Sequence, residues 1–305
     1  MVLGVIFGKM KVFRKDAADT LLKFLLYIAF PSVILGNISQ EQLGSLLRWE
    51  FVAASAVAIL GMFGFTYVAH RMFYHRTMRV TAMAALSVSF VSGGIVGIPV
   101  MDNLIGLRAT LVPVILNTMV SLVTVVPLAI ILIRWQSGHK EGHLKMIWLS
   151  LVDALENPLI VSAILGLIIA SFNMELPQWL TMTFSRLGSA TFATALFTVG
   201  LGINLKTIQR DIGEIAFLSV LRMVVFSIFA FSIAILFKLP PHLAVPFVII
   251  MSLPTAKSVP AIGETHHGVF VKESMQIVTL TTVLTIFVMP FVVLAADIIW
   301  PGIVK

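Results

Sequence analysis

Apolar residues run through this chain in long blocks divided by short polar punctuation. The blocks do not alternate with period two as barrel strands do, and most approach or exceed the roughly 20 residues a spanning helix needs. The pattern predicts helices over about 18–38, 50–69, 80–105, 109–133, 146–171, 177–205, 214–237, 241–268 and 273–300. The fifth of these opens on an amphipathic lead-in, residues 146–156. Met1–Gly8 is apolar too, but eight residues reach only about 12 Å of a hydrocarbon core about 30 Å thick. It reads as half of a first helix. Counting it, the chain is expected to be an all-α integral membrane protein of ten segments, the first one truncated.

Two blocks are interrupted from within. Ser92–Gly106, SGGIVGIPVMDNLIG, holds four glycines, a proline, an aspartate and an asparagine. Ser252–Gly268, SLPTAKSVPAIGETHHG, holds Pro254 and Pro260. Glycine costs a helix interior about 1 kcal/mol and proline about 3. Such breaks persist at membrane depth only where the freed backbone groups face protein or a water-filled cavity. Interrupted helices at matching places in two halves of a chain point to a transporter binding site.

Composition agrees with burial in lipid. Of 305 residues, 59% are hydrophobic and 11% charged, with a mean hydropathy of +1.03, against about 25% charged in soluble domains. The absence of cysteine excludes disulfides, thiolate metal sites and cysteine nucleophiles. The net charge of +7 reads as basic cytoplasmic loops and not as a nucleic-acid footprint. Loops after odd-numbered segments carry thirteen Lys and Arg; those after even-numbered ones carry Arg48, Arg108 and Lys238. The positive-inside rule places the odd loops in the cytoplasm and both termini on the opposite side. No cleavable signal peptide is visible at the amino terminus.

Punctuation repeats at a nearly fixed interval. Gly4 pairs with Gly166, Pro99 with Pro260, Gly106 with Gly268 and Pro127 with Pro290, at offsets of 162, 161, 162 and 163. Two five-helix copies, residues 1–137 and 146–305 around a cytoplasmic connector at 138–145, must insert with opposite orientations because five is odd. This is an inverted repeat in which helices four and nine cross near the bilayer centre.

The run FVSGGIVGIPVMDNLIG resembles the fourth helix of the auxin efflux carrier family of permeases, which includes bacterial malonate-type transporters. LYIAFPSVILGNIS, NPLIVSAILGLII, ATALFTVGLGINL and TLTTVLTIFVMP extend the resemblance over the whole chain. It implies ten helices, a scaffold domain beside a crossing transport domain, a homodimer in a cell (inner) membrane, and transport of a small organic anion. It also implies that Pro99, with Pro254 or Pro260, marks the crossover. Ser92 and Ala193 stand where many bacterial relatives carry Asn and Pro.

The candidate substrate-binding residues are Ser92, Gly94, Pro99, Asp102, Asn103, Asn117, Pro254, Lys257 and Pro260. Half-helix N-termini beside the prolines carry partial positive charge suited to a carboxylate; a plain packing kink is the alternative. Lys257, at a cost of about 2.5–3.5 kcal/mol at the midplane, is a partner for an anion or for Asp102 or Glu264, or else it snorkels to the interface. Asp102, Glu264 and His266 are candidate proton carriers, with a polar helix end as the alternative. Asn117 and Asn157 line a cavity or glue helices together. Arg186 and Arg222 read as structural residues near interfaces. No catalytic residue, metal ligand set, nucleotide motif or cofactor is indicated. A carrier is favoured over a channel, a sensor or an intramembrane enzyme. A membrane potential negative inside favours anion exit by about 2.3 kcal/mol per 100 mV, close to a fifty-fold gradient at about 1.36 kcal/mol per decade.

Overall fold

The computed structural model describes residues 2–10, 12–14, 17–38, 48–135, 158–172, 176–201, 212–266 and 268–304. The connector at 138–145, the lead-in at 146–156, Asn157 and His267 lie outside the described residues. Helices account for nearly all the rest. In chain order they are α1 (Val2–Lys9), α2 (Ala17–Phe24), α3 (Phe30–Ile38), α4 (Trp49–Tyr74), α5 (Met78–Ser89), α6 (Ile98–Ile105), α7 (Leu107–Val123) and α8 (Val125–Trp135). After the connector come α9 (Pro158–Ser171), α10 (Gln178–Leu201), α11 (Ile212–Val220), α12 (Phe226–Leu236), α13 (Pro241–Met251), α14 (Ser258–Thr265) and α15 (Val271–Ile299). Among the described residues, five stretches are long and apolar enough to span a bilayer: Ala17–Asn37, Trp49–Tyr74, Ala109–Trp135, Ile212–Leu236 and Val271–Ile299.

The chain divides into two compact units, each drawn from both halves of the sequence. Unit 1 comprises residues 1–49, 94–115 and 155–203; unit 2 comprises 50–93, 116–154 and 204–305. In unit 1, α3 packs on α9 and α10, and α1 packs on α10. Gly4 makes the last contact close: a Cβ there would overlap the Phe197 carbonyl of α10. Small residues let membrane helices approach in this way.

Unit 2 is built around two helices buried on every side. In α5 every residue from Thr81 to Ser89 is buried, and in α13 every residue from Leu243 to Met251. Alanines and serines on α5 let α8 pack closely against it. Phe247 of α13 meets Phe51 of α4 edge-on, centroids 5.7 Å apart. At 12 and 11 residues, α5 and α13 reach about 18 and 16 Å at 1.5 Å per residue, about half a membrane. By contrast α4 and α15 expose Phe65, Phe73, Phe287 and Phe291, as helices facing lipid tails would.

Two boundaries that bear on the site differ from the sequence reading. Helix three extends to Tyr74, which brings His70 inside it. The first break is narrower than Ser92–Gly106: only residues 90–92 leave the helical path, and Gly93–Gly97 forms a π-helical turn. Pro99 then lies six residues into a continuous helical run, Gly93–Ile105, where its missing N–H interrupts the ladder of backbone bonds. Arg222, read from the sequence as a structural residue near an interface, is a core residue. It is 0% exposed inside unit 2, on a π-helical turn spanning Leu221–Val225.

Candidate functional site

The two breaks meet in unit 2. Phe90 leaves α5 in an extended conformation, and Val91 forms an antiparallel bridge with Thr255. The Ser92 N–H donates to the Pro254 carbonyl at 2.9 Å, and the Ala256 N–H to the Phe90 carbonyl at 3.0 Å. A helix leaves its last four carbonyls without intrahelical partners, and in an apolar interior each must find another. Here the second break supplies one: the Thr255 hydroxyl donates to the Ser87 carbonyl at 2.7 Å. The Arg222 guanidinium supplies another. It donates to the Val88 carbonyl at 3.2 Å and to the Leu253 carbonyl, and it lies 4.9 Å from the Phe226 ring centroid. One arginine therefore joins the carboxyl ends of α5 and α13. Placing a charge this deep costs about 2.5–3.5 kcal/mol on insertion scales, offset by bonds to carbonyls that would otherwise stay open.

Each break is followed by a helix that holds a proline. The first runs Gly93–Ile105 through the π-helical turn and α6, with Pro99 in its middle; the second is α14, eight residues long with Pro260 in its first turn. A glycine of positive φ follows each, Gly106 at φ 84° directly after α6 and Gly268 at φ 68° three residues past the end of α14, a backbone that glycine adopts without Cβ strain. Gly263 of α14 packs so closely that a Cβ would sit 2.5 Å from the Val269 carbonyl.

The structure distributes the predicted residues over both units. Ser92, Asn117, Pro254, Lys257, Pro260, Glu264 and His266 belong to unit 2; Gly94, Pro99, Asp102 and Asn103 belong to unit 1. Ser92 and Pro254 are directly bonded. Ser92 is 5% exposed and Asn117 1%, and the Ser92 hydroxyl and Asn117 Oδ1 find no hydrogen-bond partner among the described residues. Buried oxygens are seldom left so. Pro254 and Pro260 are buried, Lys257 is half-buried at the start of α14, Glu264 is exposed and His266 is half-buried. His266 Nδ1 lies 2.9 Å from the Ile262 carbonyl. Gly94 is buried, and a Cβ on it would meet Leu159 Cδ1 at 2.8 Å. Asn103 is exposed and donates to the Pro99 carbonyl at 2.8 Å.

Asp102 lines a cavity of about 450 Å³ within unit 1, walled by Ser32, Asn37, Thr181, Phe184, Ser185 and Phe192 among others. Ser32 and Asn37 donate to the Ile28 and Val33 carbonyls of their own helix at 2.7 and 2.8 Å. This leaves the Ser32 and Asn37 oxygens able to accept further bonds. Sequence reasoning did not single out these two residues, although both stand in the LYIAFPSVILGNIS run.

A second polar group was also missed. In unit 2 the Glu214 carboxylate, 1% exposed, lies 2.7 Å from His70 Nε2 and accepts from Arg76 at 2.6 Å. The His70 ring stacks on Tyr74 and meets Phe270 edge-on. Only Arg222 carried a readable signal, a lone charge near the middle of an apolar span.

A family model described as membrane transport protein matches residues 1–293. The chain is 25% identical over 227 residues to the uncharacterized transporter YfdV of Escherichia coli (strain K12), covering 73% of this chain and 71% of that protein. It is 22% identical over 286 residues to a Rhizobium meliloti (strain 1021) protein named "Putative malonate transporter", covering 93% and 88%.

Proposed function

Because the chain belongs to the auxin efflux carrier family of membrane transport proteins, we propose that it is a secondary transporter moving a small organic anion, a carboxylate, by alternating access. The observation that carries this reading is the bonded pair of helix breaks, with Ser92 joined to Pro254 and Phe90 to Ala256. Irregular backbone of this kind belongs with substrate sites in carriers. Further support comes from the buried, unpartnered oxygens of Ser92 and Asn117 and from the Asp102 cavity. The name of the Rhizobium meliloti relative favours a dicarboxylate.

In this reading the chain is a five-plus-five inverted repeat of ten segments whose fourth and ninth helices cross. It works as a homodimer in the cell membrane, with both termini on the non-cytoplasmic side. The proline within, and the positive-φ glycine beyond, each of α6 and α14 support the repeat. The N-terminus of α14 presents N–H groups and partial positive charge to the carboxylate, and Lys257 at that end adds a full charge. Asp102 would repel an anion unless a proton accompanies it, which gives Asp102 a coupling role; Glu264 and His266 are the other proton carriers. Uncoupled, the anion leaves the cell down the membrane potential.

The test is counterflow of labelled malonate, succinate, indole acetate and a neutral amino acid in proteoliposomes, beside a Pro99→Ala, Pro260→Ala double variant. Saturable exchange of one carboxylate, lost in the variant, is the expected result. Exchange of the amino acid alone would overturn the substrate class, and unsaturable conductance would overturn the carrier.

A further inference from the structure

We infer that Arg222 is the resident cation of the helix junction, holding the place that a bound alkali-metal ion would otherwise take between the carboxyl ends of α5 and α13. Each helix carries the equivalent of about half a negative charge at its carboxyl end. Two such ends meet at one guanidinium, which bonds the Val88 carbonyl within α5 and the Leu253 carbonyl two residues past α13, so a single positive charge stands beside the pair. The surroundings are those of a hard-cation site. Besides these two carbonyls, the junction gathers the carbonyls of Ser87, Phe90 and Pro254 and the hydroxyl of Thr255, and oxygen donors of this kind are what such ions take. Arg222 is wholly buried and fixed on one side by the Phe226 ring, so water does not screen its charge. The junction thus keeps its counter-charge covalently, and the native protein needs no sodium or potassium there. This rests on the bonds around Arg222 and stands whatever the substrate.

The experiment is thermal unfolding of the purified full chain in detergent, in sodium, potassium or choline chloride at one ionic strength. Variants Arg222→Lys, Arg222→Met and Arg222→Ala are compared. The native midpoint is expected to be the same in all three salts. Arg222→Met, similar in bulk but uncharged, should lose several degrees in every salt, and Arg222→Lys distinctly less. Arg222→Ala should regain part of its loss in sodium or in dilute guanidinium, relative to choline. That cation-specific rescue is something a merely space-filling role would not produce. The inference is overturned if the native protein is itself stabilised by sodium over choline. It is equally overturned if Lys and Met variants are equally unstable, or if a folded Arg222→Ala responds to no cation. Should Arg222→Ala fail to fold, the comparison of Lys with Met still decides.

Discussion

The junction in unit 2 and the cavity in unit 1 use polar residues in opposite ways. Around Arg222 the polar groups bind one another across elements far apart in sequence: Thr255 to Ser87, Ser92 to Pro254, Arg222 to both helix ends. Around Asp102 the side chains of Ser32, Asn37 and Thr181 hydrogen-bond back to carbonyls of their own helices and face open space with acceptors to spare. The first arrangement fixes a backbone that could not otherwise be buried. The second costs the fold little and leaves acceptors for a ligand. Substitutions at the two places should therefore fail differently, one set in stability and the other in transport.

The largest expected effect is at Glu214. Glu214→Ala leaves the buried His70 ring and the half-exposed Arg76 guanidinium without their carboxylate; an unsatisfied buried group costs about 1–3 kcal/mol, and more where the lost bond was to a charged group. A fall in the unfolding midpoint exceeding that of any cavity variant is expected, measured by thermal denaturation. Thr255→Val comes next. It nearly conserves volume but strips the Ser87 carbonyl of its donor, at about 1–3 kcal/mol; denaturant titration measures it, and an unchanged midpoint would mean that the bridge does not depend on this hydroxyl. Gly94→Ala follows at about 1 kcal/mol, because only the flexible end of Leu159 must yield. The smallest effect on stability is at Asp102, where Asp102→Asn should stay within about 0.5 kcal/mol yet slow counterflow. If Asp102→Asn instead unfolds the protein, the contrast between the two regions collapses.

Much of this architecture is written locally. Long apolar runs announce helices because length and hydropathy suffice, and Pro99, Pro254 and Pro260 with their glycines announce the breaks because their backbone limits do not depend on context. The width of the first break was not legible. Gly93, Gly94 and Gly97 can leave a helix or enter a π-helical turn, and only packing decides. The pairing of His70 with Glu214 joins residues 144 apart in sequence, and neither is unusual on its own. Arg222 reads as a structural residue near an interface, and its destination depended on the carbonyls of Val88 and Leu253, which no residue type reveals. Asp102 was readable from its place after Pro99, whereas Ser32 and Asn37 become its neighbours only through the fold.

The bond between Ser92 and Pro254 also sets a schedule. The partners are 162 residues apart in the sequence, and at roughly 5–20 residues per second of synthesis the ribosome takes about 8–30 s to travel from one to the other. Throughout that interval the carboxyl end of α5 exists without Thr255 or the second break, and for most of it without Arg222. Its open carbonyls must be served by water or by the insertion machinery until the ninth segment arrives. Biogenesis of this chain thus has a late committing step, and damage near Pro254 should leave the early helices made and inserted but unclosed, the form that membrane quality control would recognise.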